Sequence, residues 1–155
     1  MSSPRRTLPP VPRQAITPLI GSLLRLPREV IVSRMLTAVN SRGFDITATE
    51  LSVFMFPGPD ERRPADLARQ CNMSRQAMNY VLAGLQRRGF IERHSGANAA
   101  ARVVRLTAKG WQVADQMRRS VSEIEREWSA FLGERRFNAL SDTLRELSQW
   151  LGKLP

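Results

Sequence analysis

The 155-residue sequence predicts a mainly α-helical fold that carries one small β-hairpin. Apolar residues recur at spacings of three and four over most of the chain. Two short strand-like runs flank a loop of small residues, Ser95 to Ala101, and positive charge is concentrated around them. This order of elements predicts a winged helix-turn-helix attached to a helical dimerisation region.

The composition limits the classes of protein to consider. One cysteine excludes an internal disulfide framework and fits a reducing cytoplasm, and no apolar run is long enough to cross a bilayer. The net charge of +10 is uneven: residues 62–109 hold ten basic and two acidic side chains, whereas residues 110–155 hold seven of each. Phosphate neutralisation requires such a concentrated excess, so we expect double-stranded DNA as the partner and no membrane.

The N-terminal part predicts an arm followed by helices. Residues 1–14 are rich in Pro, Arg and Ser and lack an apolar period, which predicts a flexible arm, either a solvated tail or a DNA contact. From Ile16 a helical apolar spacing begins, is interrupted at Pro27 and resumes as far as Val39, which predicts two helices with a kink or break between them. Residues 15–155 are predicted to form a single domain.

Two short helices are predicted next. Thr47 and Glu50 have the spacing of a capping box, and the helix that they begin is expected to carry Phe56 and to stop at the Pro57 turn. Pro64 then opens a second short helix. These helices begin a DNA-binding lobe that we predict over residues 47–107.

The next helix is the candidate for the major groove. Ser74 is expected to cap it and Gly89 to end it. Its core face is predicted to hold Ala77, Val81, Leu82 and Leu85. Its opposite face is predicted to present Arg75, Gln76 and Asn79. Arginine can bind guanine, and Gln or Asn can bind adenine, so this face is predicted to contact base edges. Tyr80 either reaches a phosphate or is half-buried.

A basic hairpin follows this helix. Phe90 begins one predicted strand, and residues 102–106 form the other. Arginines lie beside the uncharged tip: Arg93, Arg102 and Arg105. We expect Arg93 and Arg102 to contact phosphate or the minor groove. Each arginine alone could equally be a solvated charge, but together they converge on one element.

The C-terminal residues predict two long helices. Apolar seams run over residues 114–131 and 137–154 with a break at Gly133, which predicts an antiparallel helix pair. The pair has more apolar surface than it can bury, which favours a homodimer formed by residues 15–45 and 108–155. The alternative is that the stripe packs only on the chain's own first helices. The predicted dimerisation residues are Ile16, Leu19, Leu23, Val121, Ile124, Trp128, Leu144, Leu147 and Leu151.

The ordered series of motifs resembles the MarR family of bacterial transcription regulators. MSRQAMNYVLAGLQRRGFIER resembles that family's recognition helix and first wing strand, and RVVRLTAKG resembles its second wing strand and long dimerisation helix. PLIGSLLRLPREV and NSRGFDITATELSVF are similar to one subset of the family. The resemblance implies a cytoplasmic, nucleoid-associated homodimer of six-helix winged subunits. It also implies a pseudo-palindromic operator and, often, release by a small aromatic or anionic ligand.

The resemblance also implies roles for particular residues. Arg75, Gln76 and Asn79 take the base-reading positions, and Ser74 caps the helix and contacts phosphate. Arg102 takes the place of the wing arginine. The family's wing carries acidic residues that hold this arginine, whereas the loop SGANAA has none.

The remaining candidates are weaker. Met35, Phe54, Phe56 and Trp111 are named as a ligand pocket between the dimer helices and the lobe, although each is more often plain core. Cys71 is read as a small buried hydrophobe rather than a redox sensor, and His94 lacks the neighbours of a metal site.

No enzyme, cofactor or metal is predicted, because the sequence has no paired carboxylates at useful spacing and no phosphate-binding loop. A transcription regulator, in particular a repressor, is the favoured function. The alternatives are a non-specific architectural DNA-binding protein and a protein-interaction module on the same fold.

Overall fold

The computed structural model describes residues 17–55, 58–94 and 103–152. Within these ranges it has six helices and one antiparallel pair of strands, so the predicted fold class is confirmed. The elements are α1 Ile20–Asn40, α2 Ala48–Phe54, α3 Pro64–Gln70, α4 Arg75–Arg87, β1 Ile91–His94, β2 Val103–Leu106, α5 Ala108–Leu132 and α6 Glu134–Leu151. The predictions for the arm, Ile16, Phe56, Arg102 and the wing tip fall outside the described residues.

Helix α1 corrects the prediction of two helices with a kink or break at Pro27, because one continuous helix runs through that residue. A proline removes one helical hydrogen bond, and here the rest of the helix offsets that loss. Met35 and Val39 are buried in the core. Arg34 donates two hydrogen bonds to Glu127 of α5, at 2.5 and 2.8 Å.

The ion pair between Arg34 and Glu127 shifts the pKa of both side chains. The hydrogen bond from Arg34 lowers the pKa of the Glu127 carboxyl, and the same bond raises the pKa of Arg34. The charged forms of both groups are therefore favoured in the folded chain, and the pair ties α1 to α5.

Side chains close the segment between α1 and α2. The amide of Asn40 donates to the Ile46 carbonyl at 2.9 Å, and its oxygen accepts from the Ile46 N–H at 2.7 Å. The capping box predicted at Thr47 and Glu50 is present. Helix α2 nevertheless ends at Phe54, before the predicted end of the helix, because the backbone becomes extended at Met55. The Met55 carbonyl accepts hydrogen bonds from Gly58 N–H and the Gln70 amide instead.

Helices α3 and α4 form the helix-turn-helix. Leu67 and Ala68 of α3 are buried, as predicted. Asn72 lies in the turn with a φ of 51°, a left-handed conformation that Asn tolerates better than most residues. Ser74 then caps α4, its hydroxyl accepting from the Ala77 N–H at 3.1 Å.

The core face of α4 differs from the prediction. Met78, Leu82 and Leu85 are buried, whereas Ala77 is exposed. The prediction for Ala77 was wrong because Met78 is the larger apolar side chain. Its burial against the rest of the core sets which face of the helix points inward.

The wing strands pair antiparallel, with Ile91 opposite Leu106 and His94 opposite Val103. The segment before α3 adds a third contact along β2, since Val104 N–H donates to the Arg62 carbonyl at 2.9 Å. Strand β2 is therefore held on both sides, by β1 and by the segment around Arg62.

Helix α5 packs into the core, and α6 does not. The inward seam of α5 holds Val113, Met117, Ser120 and Ile124. Gly133, with a φ of 83°, joins α5 to α6, and no residue of α6 is buried. None of the helices in the described ranges is long and apolar enough to cross a membrane.

Candidate nucleic-acid interface

The N-terminal end of α4 presents polar side chains to solvent. Arg75, Gln76 and Asn79 are all exposed, on the side of the helix away from the buried Met78 and Leu82. Their positions on the exposed side of α4 therefore agree with the predicted base-reading face. Their contacts with DNA stay a prediction.

Tyr80 lies on the same exposed face. Its side chain is 77% exposed, so the half-buried alternative is wrong and the ring is free to reach a partner. Ala77 also belongs to the exposed face and was missed by the sequence reasoning. Its position places an apolar methyl group beside the polar side chains of this face, and such a methyl group can contact the methyl group of thymine.

The two described wing arginines have partners within the chain. Arg93 is half-buried and donates to the carbonyl of Asn79 on α4 at 3.0 Å. Arg105 is exposed and pairs with Glu61 at 2.8 Å. Arg93 thus joins the first wing strand to the recognition helix, a role that the spacing of the sequence did not predict. Phosphate contact by either arginine remains a prediction.

A second junction holds the other end of α4. Arg88 donates to the Asp45 carbonyl at 2.6 Å and to the carboxylate of Glu50. Glu50 also accepts from the Thr47 N–H at 3.0 Å in the capping box. The start of α2 and the end of α4 are therefore joined through one carboxylate.

A cavity of about 660 Å³ lies between the lobe and the long helices. Its wall includes three of the predicted pocket residues, Met35, Phe54 and Trp111. Helices α1, α2 and α5, the segment before α3 and the end of β2 all contribute to it. The wall is mainly apolar, as is usual for sites that bind small organic molecules.

Two charged side chains line this cavity, and sequence reasoning missed both. Asp60 accepts a hydrogen bond from the Leu106 N–H at 2.8 Å. Arg118 pairs with Asp115, one turn earlier on α5, at 2.9 Å. No local motif marks either residue, because the cavity brings together segments far apart in the sequence.

Large apolar side chains are exposed at the start of α1, at the end of α5 and along α6. Leu19 is 79% and Phe131 is 87% exposed, and the others are Ile20, Leu23, Leu24, Leu26, Leu140, Leu147, Trp150 and Leu151. A monomeric chain rarely leaves so many apolar side chains in water.

The other predicted dimerisation residues are less exposed. Trp128 and Leu144 are half-buried. Val121 packs against the chain's own core, and Ile124 is 1% exposed. Ile124 therefore offers no surface to a second subunit, which corrects its prediction, because the heptad seam of α5 also faces inward.

Cys71 and His94 each lie close to an oxygen atom of a neighbouring residue. Cys71 is half-buried with its Sγ 3.6 Å from the Ser52 carbonyl oxygen, and His94 Nε2 is 3.3 Å from a carboxylate oxygen of Glu92. In the described part of the chain, no three His, Cys, Asp or Glu side chains cluster as metal ligands would.

Residues 44–100 match the model of the MarR family. No curated protein sequence is significantly similar to the chain. NadR, solved in complex with 4-hydroxyphenylacetate, is 25% identical, with 88% of this chain and 97% of that chain covered and a TM-score of 0.65. The transcriptional regulator PA4135 is 27% identical, with 90% and 100% covered and a TM-score of 0.65.

A third solved structure is similar to this chain in fold, and the comparison supports nothing beyond the fold. The transcriptional repressor CouR, bound to a 23-mer DNA duplex, is 20% identical, with 84% of this chain and 92% of that chain covered and a TM-score of 0.62.

These comparisons agree with the geometry. The matched residues contain α2, α3, α4 and the first wing strand, β1, the part that carries the exposed polar face. The family and the fold are those of transcription regulators and not of enzymes. The predicted resemblance is confirmed: residues 44–100 match the MarR family model, and the fold is that of the winged helix-turn-helix structures of this family.

Proposed function

We propose that the chain is a homodimeric repressor that binds a pseudo-palindromic operator and is released by a small molecule. One observation carries the proposal: α4, capped by Ser74, projects Arg75, Gln76 and Asn79 into solvent on the most basic part of the chain. These side chains can discriminate base edges in the major groove, each good pair contributing about 1–3 kcal/mol.

The proposed dimer uses residues 15–45 and 108–155, with residues 47–107 as the DNA-binding lobe. The exposed apolar side chains of α1 and α6 support this division, since a second copy would cover them. Two α4 helices must lie about 34–36 Å apart to enter successive major grooves. Because the partner is the chromosome, the proposed location is the bacterial cytoplasm, in association with the nucleoid.

The proposed effector is a small aromatic or anionic molecule in the cavity. The cavity touches the lobe, α1 and α5, so its occupant contacts the parts whose relative position sets the spacing of the two α4 helices. NadR, which is 25% identical, was solved with an aromatic acid, 4-hydroxyphenylacetate. Ligand and operator would then oppose each other through one equilibrium between two spacings.

Selection of bound fragments from the genome, followed by competition titration at fixed salt, tests the proposal. An operator-binding protein should prefer its site over random DNA by about 10³-fold or more. Equal affinity for both would establish the architectural alternative, and failure to bind any fragment at low salt would favour a protein-interaction module. Gln76→Ala should reduce the preference and leave binding to random DNA nearly unchanged.

A further inference from the structure

Asp60 lies where the cavity meets the wing. Asp60 is one of the residues that line the cavity, and its Oδ1 accepts from the N–H of Leu106, the last residue of β2, at 2.8 Å. Its Oδ2 has no hydrogen-bond partner among the residues that the structure describes. A carboxylate has several acceptor positions, so Asp60 can hold the strand and accept a donor from a ligand at the same time.

The positive charge in the same wall is already matched. Arg118 donates to Oδ1 of Asp115 at 2.9 Å, and two-thirds of its side chain is in solvent. A carboxylate ligand would have to compete with both Asp115 and water for this guanidinium. Asp60 is half-buried, and its carboxylate has no charged partner among the described residues.

The rest of the wall suits the face of an aromatic ring. Met35, Phe54, Trp111 and Met117 line the cavity beside Asp60. Thioethers make favourable contacts with aromatic rings, and the faces of Trp and Phe attract cations as well as apolar groups. An aromatic acid would gain the same ring contacts but would bring its charge towards Asp60.

We propose that this cavity selects aromatic ligands that carry an ammonium group over aromatic acids, and that Asp60 makes the selection. The inference narrows the effector of the proposed function, and its effect on DNA rests on that function. The ligand preference itself does not rest on the proposed function, because it is a property of the cavity wall.

Asp60 also connects the ligand to the wing. Three consecutive residues of the same segment hold β2: Asp60 accepts from Leu106 N–H, Glu61 pairs with Arg105 at 2.8 Å, and the Arg62 carbonyl accepts from Val104 N–H at 2.9 Å. An ammonium bound at Asp60 changes the position of this segment and with it the support of the wing strand. DNA and ligand should therefore alter each other's affinity by the same factor.

Two probes that share a ring and differ in charge test the selection. Tyramine carries an ammonium, and 4-hydroxyphenylacetate carries a carboxylate, on otherwise similar phenols. Titration of the full chain, followed by calorimetry and by the change in tryptophan fluorescence that Trp111 in the cavity wall should give, should show tyramine binding at least roughly tenfold more tightly, the size expected for one charge-assisted hydrogen bond.

Two variants assign the preference to a side chain. Asp60→Asn keeps an oxygen for the Leu106 N–H but removes the charge, so it should fold and lose the preference for tyramine. Arg118→Gln is the matched control: it removes a positive charge from the same wall, so it should not weaken tyramine binding and should keep the preference for tyramine. Thermal unfolding of each variant checks that the fold is intact.

Several results overturn the inference. These are tighter binding of 4-hydroxyphenylacetate, binding of neither probe, or a preference for tyramine that persists in Asp60→Asn. If Asp60→Asn does not fold, the ligand preference of the unsubstituted chain and of Arg118→Gln still decides whether the cavity selects ammonium ligands over acids. Fragment selection without any ligand tests the proposed function separately, so loss of operator binding and loss of ligand preference are distinct outcomes.

Discussion

Placing charge on the apolar face of α6 should separate the proposed dimer. Leu147 is 41% and Leu151 is 51% exposed in the single chain. Complete burial of a leucine side chain contributes about 1.5–3 kcal/mol. Covering the part of each leucine that is still exposed should therefore stabilise the dimer by about 1 kcal/mol. A symmetric dimer contains two copies of both, which gives about 4 kcal/mol, or about 10³-fold in the dissociation constant.

The double variant Leu147→Glu/Leu151→Glu removes this contribution and adds the desolvation of carboxylates. Sedimentation velocity over a concentration series should therefore show a monomer where the unsubstituted chain is a dimer. Operator affinity should fall in parallel, because a monomer fills one half-site. Gln149→Glu, on the opposite face of α6, is the matched control. Equal dissociation by the control, or an unchanged dimer in the double variant, would refute the assignment of this face.

Three further substitutions test the interface and the fold. Arg75→Ala should cost about 1–3 kcal/mol of operator binding and relax the site preference, as measured by competition with scrambled DNA; an unchanged preference contradicts a base-reading role. Ser74→Ala removes the cap of α4 and should lower stability by about 1 kcal/mol, or roughly 2–4 °C in Tm; no change means that the cap contributes little. Gly110→Ala places a Cβ 2.1 Å from the Phe90 carbonyl oxygen and should destabilise the chain by about 3 kcal/mol or more in denaturant unfolding, whereas Gly21→Ala, with open space around it, should be nearly neutral.

Local sequence rules predicted the caps and turns well. Thr47 with Glu50, and Ser74 with the N–H three residues later, form the expected hydrogen bonds, because a cap depends only on residues within one turn. The polar face of α4 followed from the same local reading. The fold class was predictable because the apolar period persists over long segments.

Features that depend on distant neighbours were harder to predict. Pro27 normally disfavours a helix interior, and only the packing of the later part of α1 shows that the helix continues. Ala77 and Met78 are both apolar, so the choice between them depends on which face meets the core. Asp60 and Leu106 are 46 residues apart, and no motif connects them.

The bracing of α4 restricts how a signal can reach the DNA. Arg88 fastens one end to the Asp45 carbonyl and to Glu50, and Arg93 fastens a wing strand to the carbonyl of Asn79. We therefore expect the helix to move together with its lobe rather than independently of it. If the chain is the proposed repressor, substitutions that make repression permanent, or abolish it without touching DNA, should accumulate where α1 meets α5, around the Arg34–Glu127 ion pair, and be sparse between α2 and α4.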